Sequence, residues 1–158
     1  MKKAMIKTIA IQILLAEAVG ALSAALSGNI GGIYPTLNQP PLSPPGWVFP
    51  IVWPILYALM GIAAALVLAA PAPQEEKARA LKLYAAQLMI NFLWSIIFFR
   101  FENYWMALIF LLALDILVAV TLIKFWKIRP AAGWLLVPYL LWILFATYLN
   151  WGVAQLNP

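Results

Sequence analysis

The sequence predicts an all-α integral membrane protein, a single five-helix transmembrane bundle over residues 1–158. Three observations carry the prediction. Of 158 residues, 66% are hydrophobic and only 9% are charged, whereas a water-soluble domain carries about 25% charged residues to face its solvent. The apolar residues gather into five stretches, about 5–27, 46–70, 80–99, 104–123 and 133–152, each near the ~20 residues that span a bilayer. The cations segregate: Lys2, Lys3, Lys7, Lys77, Arg79, Lys82, Lys124, Lys127 and Arg129 fall at alternate ends of the stretches, and only Arg100 falls at the other ends. This bias places the N-terminus in the cytoplasm and the first loop and C-terminus outside. A soluble enzyme and a nucleic-acid-binding module are excluded, and the lipid bilayer is the first partner implied. With 0 His and 0 Cys, the chain has no thiolate chemistry and lacks the usual axial haem ligand, the commonest metal ligand and the usual acid-base residue. No metal site or cofactor is expected.

The first stretch begins with lysines and carries Ala16, Gly20, Ala24 and Gly28 at +4 spacing, a small-residue ridge for close packing in the bundle or in a homodimer. A cleaved signal peptide is the alternative reading, from the Lys-rich start and the run Ala21–Ser27; the length and Glu17 favour a retained span. Residues 28–45 then form a long loop with five prolines and no charge. Its Ile30, Ile33, Tyr34, Leu37 and Leu42 are unlike a disordered linker, and the loop reads as a lid folded over the bundle, with Tyr34 and Leu42 as lid residues. Pro44-Pro45-Gly46-Trp47 aims the second helix, and Pro50 and Pro54 are expected to kink it and open space. Gly61 and Ala65 make a shorter ridge there. Pro71 and Pro73 close that helix, and only 101–103 separate the third and fourth spans, which therefore form an antiparallel hairpin.

In the third span Gln87, Asn91, Trp94, Ser95 and Phe98 share one helical face. Amides facing lipid would lack partners, so this face points inward, either as interhelical glue or as the polar anchor of a ligand cavity. The eight Trp residues divide by depth. Trp105, Trp126, Trp134 and Trp151 sit at span ends as interfacial anchors, and Trp47 opens the second span. At 1.5 Å per residue, Trp53 lies roughly 10 Å below Gly46, Trp94 roughly 9 Å below Arg100 and Trp142 roughly 15 Å below Gly152. All three are measured from the outer side, so an aromatic cluster with Asn91 in the outer half of the bundle is expected. Glu17 and Asp115 are the only acids within the spans. Such acids are functional candidates by default, although Asp115, without a partner acid or base, reads more readily as structural.

Three blocks resemble the TspO/MBR family, the tryptophan-rich sensory proteins and translocator proteins (peripheral benzodiazepine receptors). They are Pro44-Pro45-Gly46-Trp47-Val48-Phe49-Pro50 with Trp53 and Tyr57, the run Tyr84–Ser95, and Val137–Trp142 with Ala146–Asn150, in the family order. The resemblance implies a five-helix bundle, commonly a homodimer, in a bacterial inner membrane, with a pocket under the first loop. It implies porphyrins such as protoporphyrin IX, or similar flat apolar molecules, as ligands. By matching position, Trp53 and Trp142 correspond to two tryptophans with which some bacterial members degrade protoporphyrin in light. Asn91 corresponds to a pocket asparagine and Ala146 to an alanine whose substitution affects binding. Trp47, Tyr57, Gln87 and Trp94 complete the expected ligand-binding set. Many relatives have Trp-Tyr where this chain has Ile33-Tyr34, and Trp where it has Leu42. The fifth span lacks the basic residue of the animal sterol motif, so sterol binding is not carried over.

The reading is a membrane receptor or sensor for porphyrins or other flat apolar ligands. A light-dependent porphyrin-degrading enzyme and a ligand transporter are the alternatives; the absence of an internal repeat ranks transport below the other two.

Overall fold

A computed structural model describes all of residues 1–158 and contains helices and turns but no strand. Helix α1 covers Lys2–Leu26, and a short α2, Ile30–Ile33, lies in the first loop. The long helices that follow are α3 Phe49–Ala69, α4 Gln74–Ser95, α5 Tyr104–Ile128 and α6 Pro130–Leu156. Five segments are long and apolar enough to cross a membrane: α1, Gly46–Ala69, Gln74–Arg100, α5 and α6. The up-and-down order puts nine of the ten Lys and Arg residues at one end, with the long loop and the C-terminus at the other.

The helices run past the apolar stretches because their flanks are good helix ends. Glu75 and Glu76 occupy the first turn of α4, where the helix dipole favours negative charge. Lys77 donates to the Ala70 carbonyl at the end of α3, at 3.0 Å. The hairpin from α5 to α6 turns on Arg129 alone, at φ −150° and ψ 111°. That extended backbone is what Pro130 imposes on its predecessor, and Pro130 itself starts α6 where no donor is needed. Arg100, the one cation at the far end, reaches the terminal Leu26 carbonyl of α1, a favourable place for positive charge.

In cross-section the long helices close a ring in which α1 touches α3, α3 touches α6, α6 touches α5, α5 touches α4 and α4 returns to α1. Helix α3 is the most enclosed. Ala63, Ala64 and Ala65 are all 0% exposed, so three successive residues meet neighbours in every direction. The α3 ridge and the inner half of the α1 ridge are used inside the bundle, while Ala24 and Gly28 are exposed. A Cβ on Gly61 would lie 2.6 Å from the Ile13 backbone of α1. Ala16 is buried, and Gly20 lies against the Tyr57 ring.

The end rich in cations is packed solid, with Val67, Ala80, Val118, Phe125, Ala132 and Leu136 fully buried and Tyr84 against Phe125 at 5.8 Å. The other half is built differently. Pro50 lies in the first turn of α3, where it withdraws no needed donor, so the kink expected from it has no basis. Pro54 is the interior proline; it has no N–H to give the Pro50 carbonyl, and both residues face the opening between helices. At the end of α4 the chain widens into a π-helical turn, Ile96–Arg100, with Phe101 N bonded to Ile96 O at 3.2 Å. The wider turn brings the adjacent Phe98 and Phe99 to the same opening.

Asp115 lies on α5 opposite α6. Thr147 Oγ1 is 2.6 Å from Asp115 Oδ2 and 2.8 Å from the Ile143 carbonyl. The single Thr147 hydroxyl proton goes to one of these acceptors or is shared between them. The contact is a seam between two helices, and neither residue lines the opening.

The α1–α3 crossing yields a stability test. Gly61→Val should force the helices apart and cost roughly 1–3 kcal/mol, the usual penalty of overpacking, read as a lower midpoint in thermal unfolding in detergent. Gly31→Ala, whose added Cβ meets nothing within 4 Å, should leave the midpoint unchanged.

Candidate functional site

The opening between helices is a cavity of about 560 Å³, within the range of about 300–1,000 Å³ that ordinary ligand pockets occupy. Its walls come from α1, α3, α4 with its π turn, and α6, and its cover from the first loop. Helix α5 takes no part. From α1 come Glu17, Gly20, Ala21 and Ala24, at steps of +3, +1 and +3 and hence on one face. Helix α3 supplies Phe49, Pro50, Trp53, Pro54 and Tyr57. Asn91, Trp94, Ser95, Phe98 and Phe99 form the opposite wall, and α6 adds Ala146, Leu149 and Val153.

The loop is held over this space by its own hydrogen bonds and by α6. Tyr34 Oη donates to the Pro44 carbonyl at 2.7 Å, and Gln39 Nε2 donates to the Tyr34 carbonyl at 2.8 Å. Burial pushes the Tyr34 hydroxyl above its usual range, so it stays protonated and keeps donating. Tyr148 Oη donates to the Pro41 carbonyl at 2.7 Å. Asn38 and Asn157 exchange backbone-to-side-chain hydrogen bonds of 3.0 and 2.8 Å. The Pro40 ring sits where any side chain at position 152 would project, so Gly152 is what lets the loop lie down on α6. Ile30, Tyr34, Gln39 and Ser43 face the cavity from this cover.

A buried hydrogen-bond chain forms the cavity floor. Asn91 Nδ2 donates to Tyr139 Oη at 2.8 Å, and Tyr139 Oη donates to Gln87 Oε1 at 2.7 Å. Gln87 Nε2 points at the Met60 sulfur, 3.7 Å away. The two amides therefore tie α4 to α6 and α3, and Asn91 still presents Oδ1, which accepts no hydrogen bond from the protein, to the cavity it lines. On the α4 wall, Trp94 Nε1 donates to Asn150 Oδ1 at 2.9 Å, and Asn150 Nδ2 donates to the Tyr104 carbonyl at 2.9 Å. That pair fixes the plane of the Trp94 ring. Trp53 faces it at 6.4 Å between centroids, and Trp53 also meets Tyr57 at 5.8 Å and Tyr139 at 6.4 Å.

Of the residues singled out in the sequence, Tyr34, Trp53, Tyr57, Asn91, Trp94 and Ala146 lie together around the cavity. Four do not. Gln87 is one turn deeper, occupied by Tyr139. Trp47 is 67% and Leu42 84% exposed; both point away, Leu42 with φ 70°, a strained angle for leucine. Trp142 packs against Phe49 at 5.9 Å and Phe145 at 5.9 Å, and its buried Nε1 has no acceptor. It thus stands one ring behind the cavity wall. The inward stripe of α6 is Tyr139, Ile143, Ala146, Asn150 and Val153, and residue 142 falls beside it. Depth along the helix indicated the right level but not the azimuth. Phe49, Phe99, Tyr139 and Asn150 were not singled out. Steps of +4 and +3 from Tyr139 onward would have exposed two of them, whereas the π turn that delivers Phe99 left no signal.

A family model for the TspO/MBR family matches residues 12–156. The chain belongs to the TspO/MBR family. It is 39% identical to the tryptophan-rich protein TspO of Chlorobaculum tepidum, across 97% of this chain and 98% of that one. It is 42% identical to the tryptophan-rich sensory protein of Cereibacter sphaeroides, covering 78% and 76% of the two chains. It is 39% identical to the human translocator protein, covering 78% and 74%. Membership in TspO/MBR makes this a multi-pass membrane protein of the sensor and translocator class.

The TspO/MBR chain's floor can be tested directly. Tyr139→Phe leaves Asn91 Nδ2 and Gln87 Oε1 buried without partners and should cost roughly 1–3 kcal/mol of stability, measured as a lowered unfolding midpoint in detergent. Tyr148→Phe, which loses one exposed bond to the loop, should cost less.

Proposed function

We propose that this chain is a membrane receptor that takes a porphyrin of the protoporphyrin IX type, or a similar flat apolar molecule, into the cavity under its first loop. The observation that carries the reading is the facing pair Trp53 and Trp94, 6.4 Å apart, in a wall of aromatic and aliphatic groups with a free amide oxygen on Asn91. Flat rings gain from stacking on indole beyond the area they bury, and Asn91 Oδ1 is placed to accept from a ring N–H. The chain has no His or Cys to ligate iron, so a metal-free macrocycle suits it better than haem. Tyr57 supports the deep wall, and Gln87 acts by holding Asn91 and Tyr139. Tyr34 carries the cover, which functions as a lid; Leu42, on its outer surface, has no contact with the ligand space.

The cytoplasmic N-terminus and the bacterial inner membrane belong to the same reading, supported by the nine cations at the end remote from the loop. Homodimerisation, which the family resemblance implies, would use surfaces other than the Gly61–Ala65 ridge and the Ala16–Gly20 half of the α1 ridge, which are occupied within one bundle, while Ala24 and Gly28 remain exposed.

Light-dependent degradation of the bound porphyrin is the second reading, favoured by Trp53 at the cavity wall with Trp142 relayed to it only through Phe49. It distinguishes the two tryptophans: Trp53→Phe should slow light-driven porphyrin loss far more than Trp142→Phe. Equal rates in both variants, the parent and protein-free detergent leave only the receptor.

Titration of the purified protein with protoporphyrin IX should quench Trp fluorescence saturably. Trp53→Leu should weaken binding roughly three- to tenfold, the equivalent of roughly 0.5–1.5 kcal/mol of stacking, while Trp47→Leu should leave it unchanged. Linear, unsaturable quenching overturns the proposal.

A further inference from the structure

The polar character of the cavity is uneven. Its cover carries Gln39 and Ser43, its middle is aromatic, and its α1 wall carries a carboxyl, Glu17, among Gly20, Ala21 and Ala24. Glu17 lies nine residues inside Leu26, roughly 14 Å into the bundle from that end at 1.5 Å per residue. It makes no hydrogen bond, and the only ion pair in the chain joins Arg79 to Glu75 at the other end. No Lys or Arg lines the cavity, and the other ionisable side chains on its wall are the phenols Tyr34 and Tyr57. Tyr57 stands beside the α1 wall, with Gly20 against its ring. Of the other polar groups near this level, Ser23 Oγ donates to the Phe92 carbonyl at 2.9 Å and the Ser27 and Ser95 hydroxyls pair at 2.8 Å, whereas the Tyr57 hydroxyl, like Glu17, makes no hydrogen bond. The cavity therefore holds one carboxyl with no internal partner, and a second unpartnered acceptor, Asn91 Oδ1, on the facing wall.

We infer that Glu17 determines ligand choice, making the cavity a site for flat aromatic molecules that carry a protonated amine or another strong donor; this rests on the receptor reading above. An acid at membrane depth that faces a cavity is satisfied only by what enters the cavity. A ligand ammonium supplies both the charge and the N–H groups that Glu17 lacks, in an apolar setting where a charge-assisted hydrogen bond is strong. A ligand carboxylate at the same place meets a like charge and loses its water without compensation. Ligands with acidic groups must therefore enter with those groups toward the Gln39 and Ser43 cover and an apolar edge toward Glu17.

The test uses the whole protein in detergent and two matched probe pairs. One pair is protoporphyrin IX and the same macrocycle with its two propionates replaced by aminoalkyl chains. The other is anthracene-methylamine and anthracene-carboxylate, small enough to bind whether or not a porphyrin fits. The parent should bind each amine at least about tenfold more tightly than its carboxylate partner, and Glu17→Gln should bring each pair within about threefold. Glu17→Asp should retain the preference, and an unfolding midpoint equal to the parent's shows that the Gln variant is folded. If only the anthracenes bind and their preference depends on Glu17, the inference stands and the porphyrin reading falls. If the affinity ratios are the same in parent and Glu17→Gln, the inference is overturned, whatever the porphyrins do. If no probe binds saturably, both fall.

Discussion

The architecture of the site rests on one buried hydroxyl. Tyr139 Oη accepts from Asn91 at 2.8 Å and donates to Gln87 at 2.7 Å, and it lies at the level where the bundle changes from closed to open. In hydrocarbon a polar side chain without a partner has no water to turn to, so a phenol that uses both its donor and an acceptor site at full burial fixes its neighbours. It holds α4 against α6 and sets the floor of the cavity. It engages only the amide nitrogen of Asn91, so that residue's oxygen accepts no hydrogen bond from the protein. The two amides thus differ: Gln87 is interhelical glue, and Asn91 is glue through its nitrogen while its oxygen accepts no hydrogen bond from the protein.

Above and below that level the chain uses different side chains. Below it, alanine and glycine bring backbones together, as where Gly61 meets the Ile13 backbone and Ala63–Ala65 are enclosed on all sides. Association in a membrane depends on close van der Waals contact rather than on escape from water, and small residues supply it. Above it, large rings stand between helices that a proline and a π turn have loosened, and they cannot fill the gap from every side. Trp94 is held by Asn150, which is in turn held by the Tyr104 carbonyl, so the wall keeps its shape. The loop closes the top because Gly152 admits Pro40 and because the Asn157 side-chain amide satisfies both the backbone N–H and the carbonyl of Asn38.

Glu17 is the one acid on the cavity wall and has no hydrogen-bond partner in the protein. Asp115 has Thr147 and a place in the α5–α6 seam, whereas Glu17 faces the cavity with nothing to bond.

The sequence alone determined the class of the protein, the five spans, their alternation and the family, because these depend on composition and on local periodicity along one chain. The inward face of α4 was legible from the spacing of Gln87, Asn91, Trp94 and Phe98, since an amide in lipid has only one direction to point. Depth was legible too, as residue count times helical rise. What the sequence could not supply was azimuth and neighbour. It placed Trp142 at the right level, but rotation about α6 put that ring behind Phe49. It could not tell which part of the α1 ridge packs within the bundle, and it gave no sign that α4 ends in a π turn carrying Phe99 inward. Those were decided only when the helices closed into a ring, because which side of a helix meets a partner is a property of the packed set and not of any one segment.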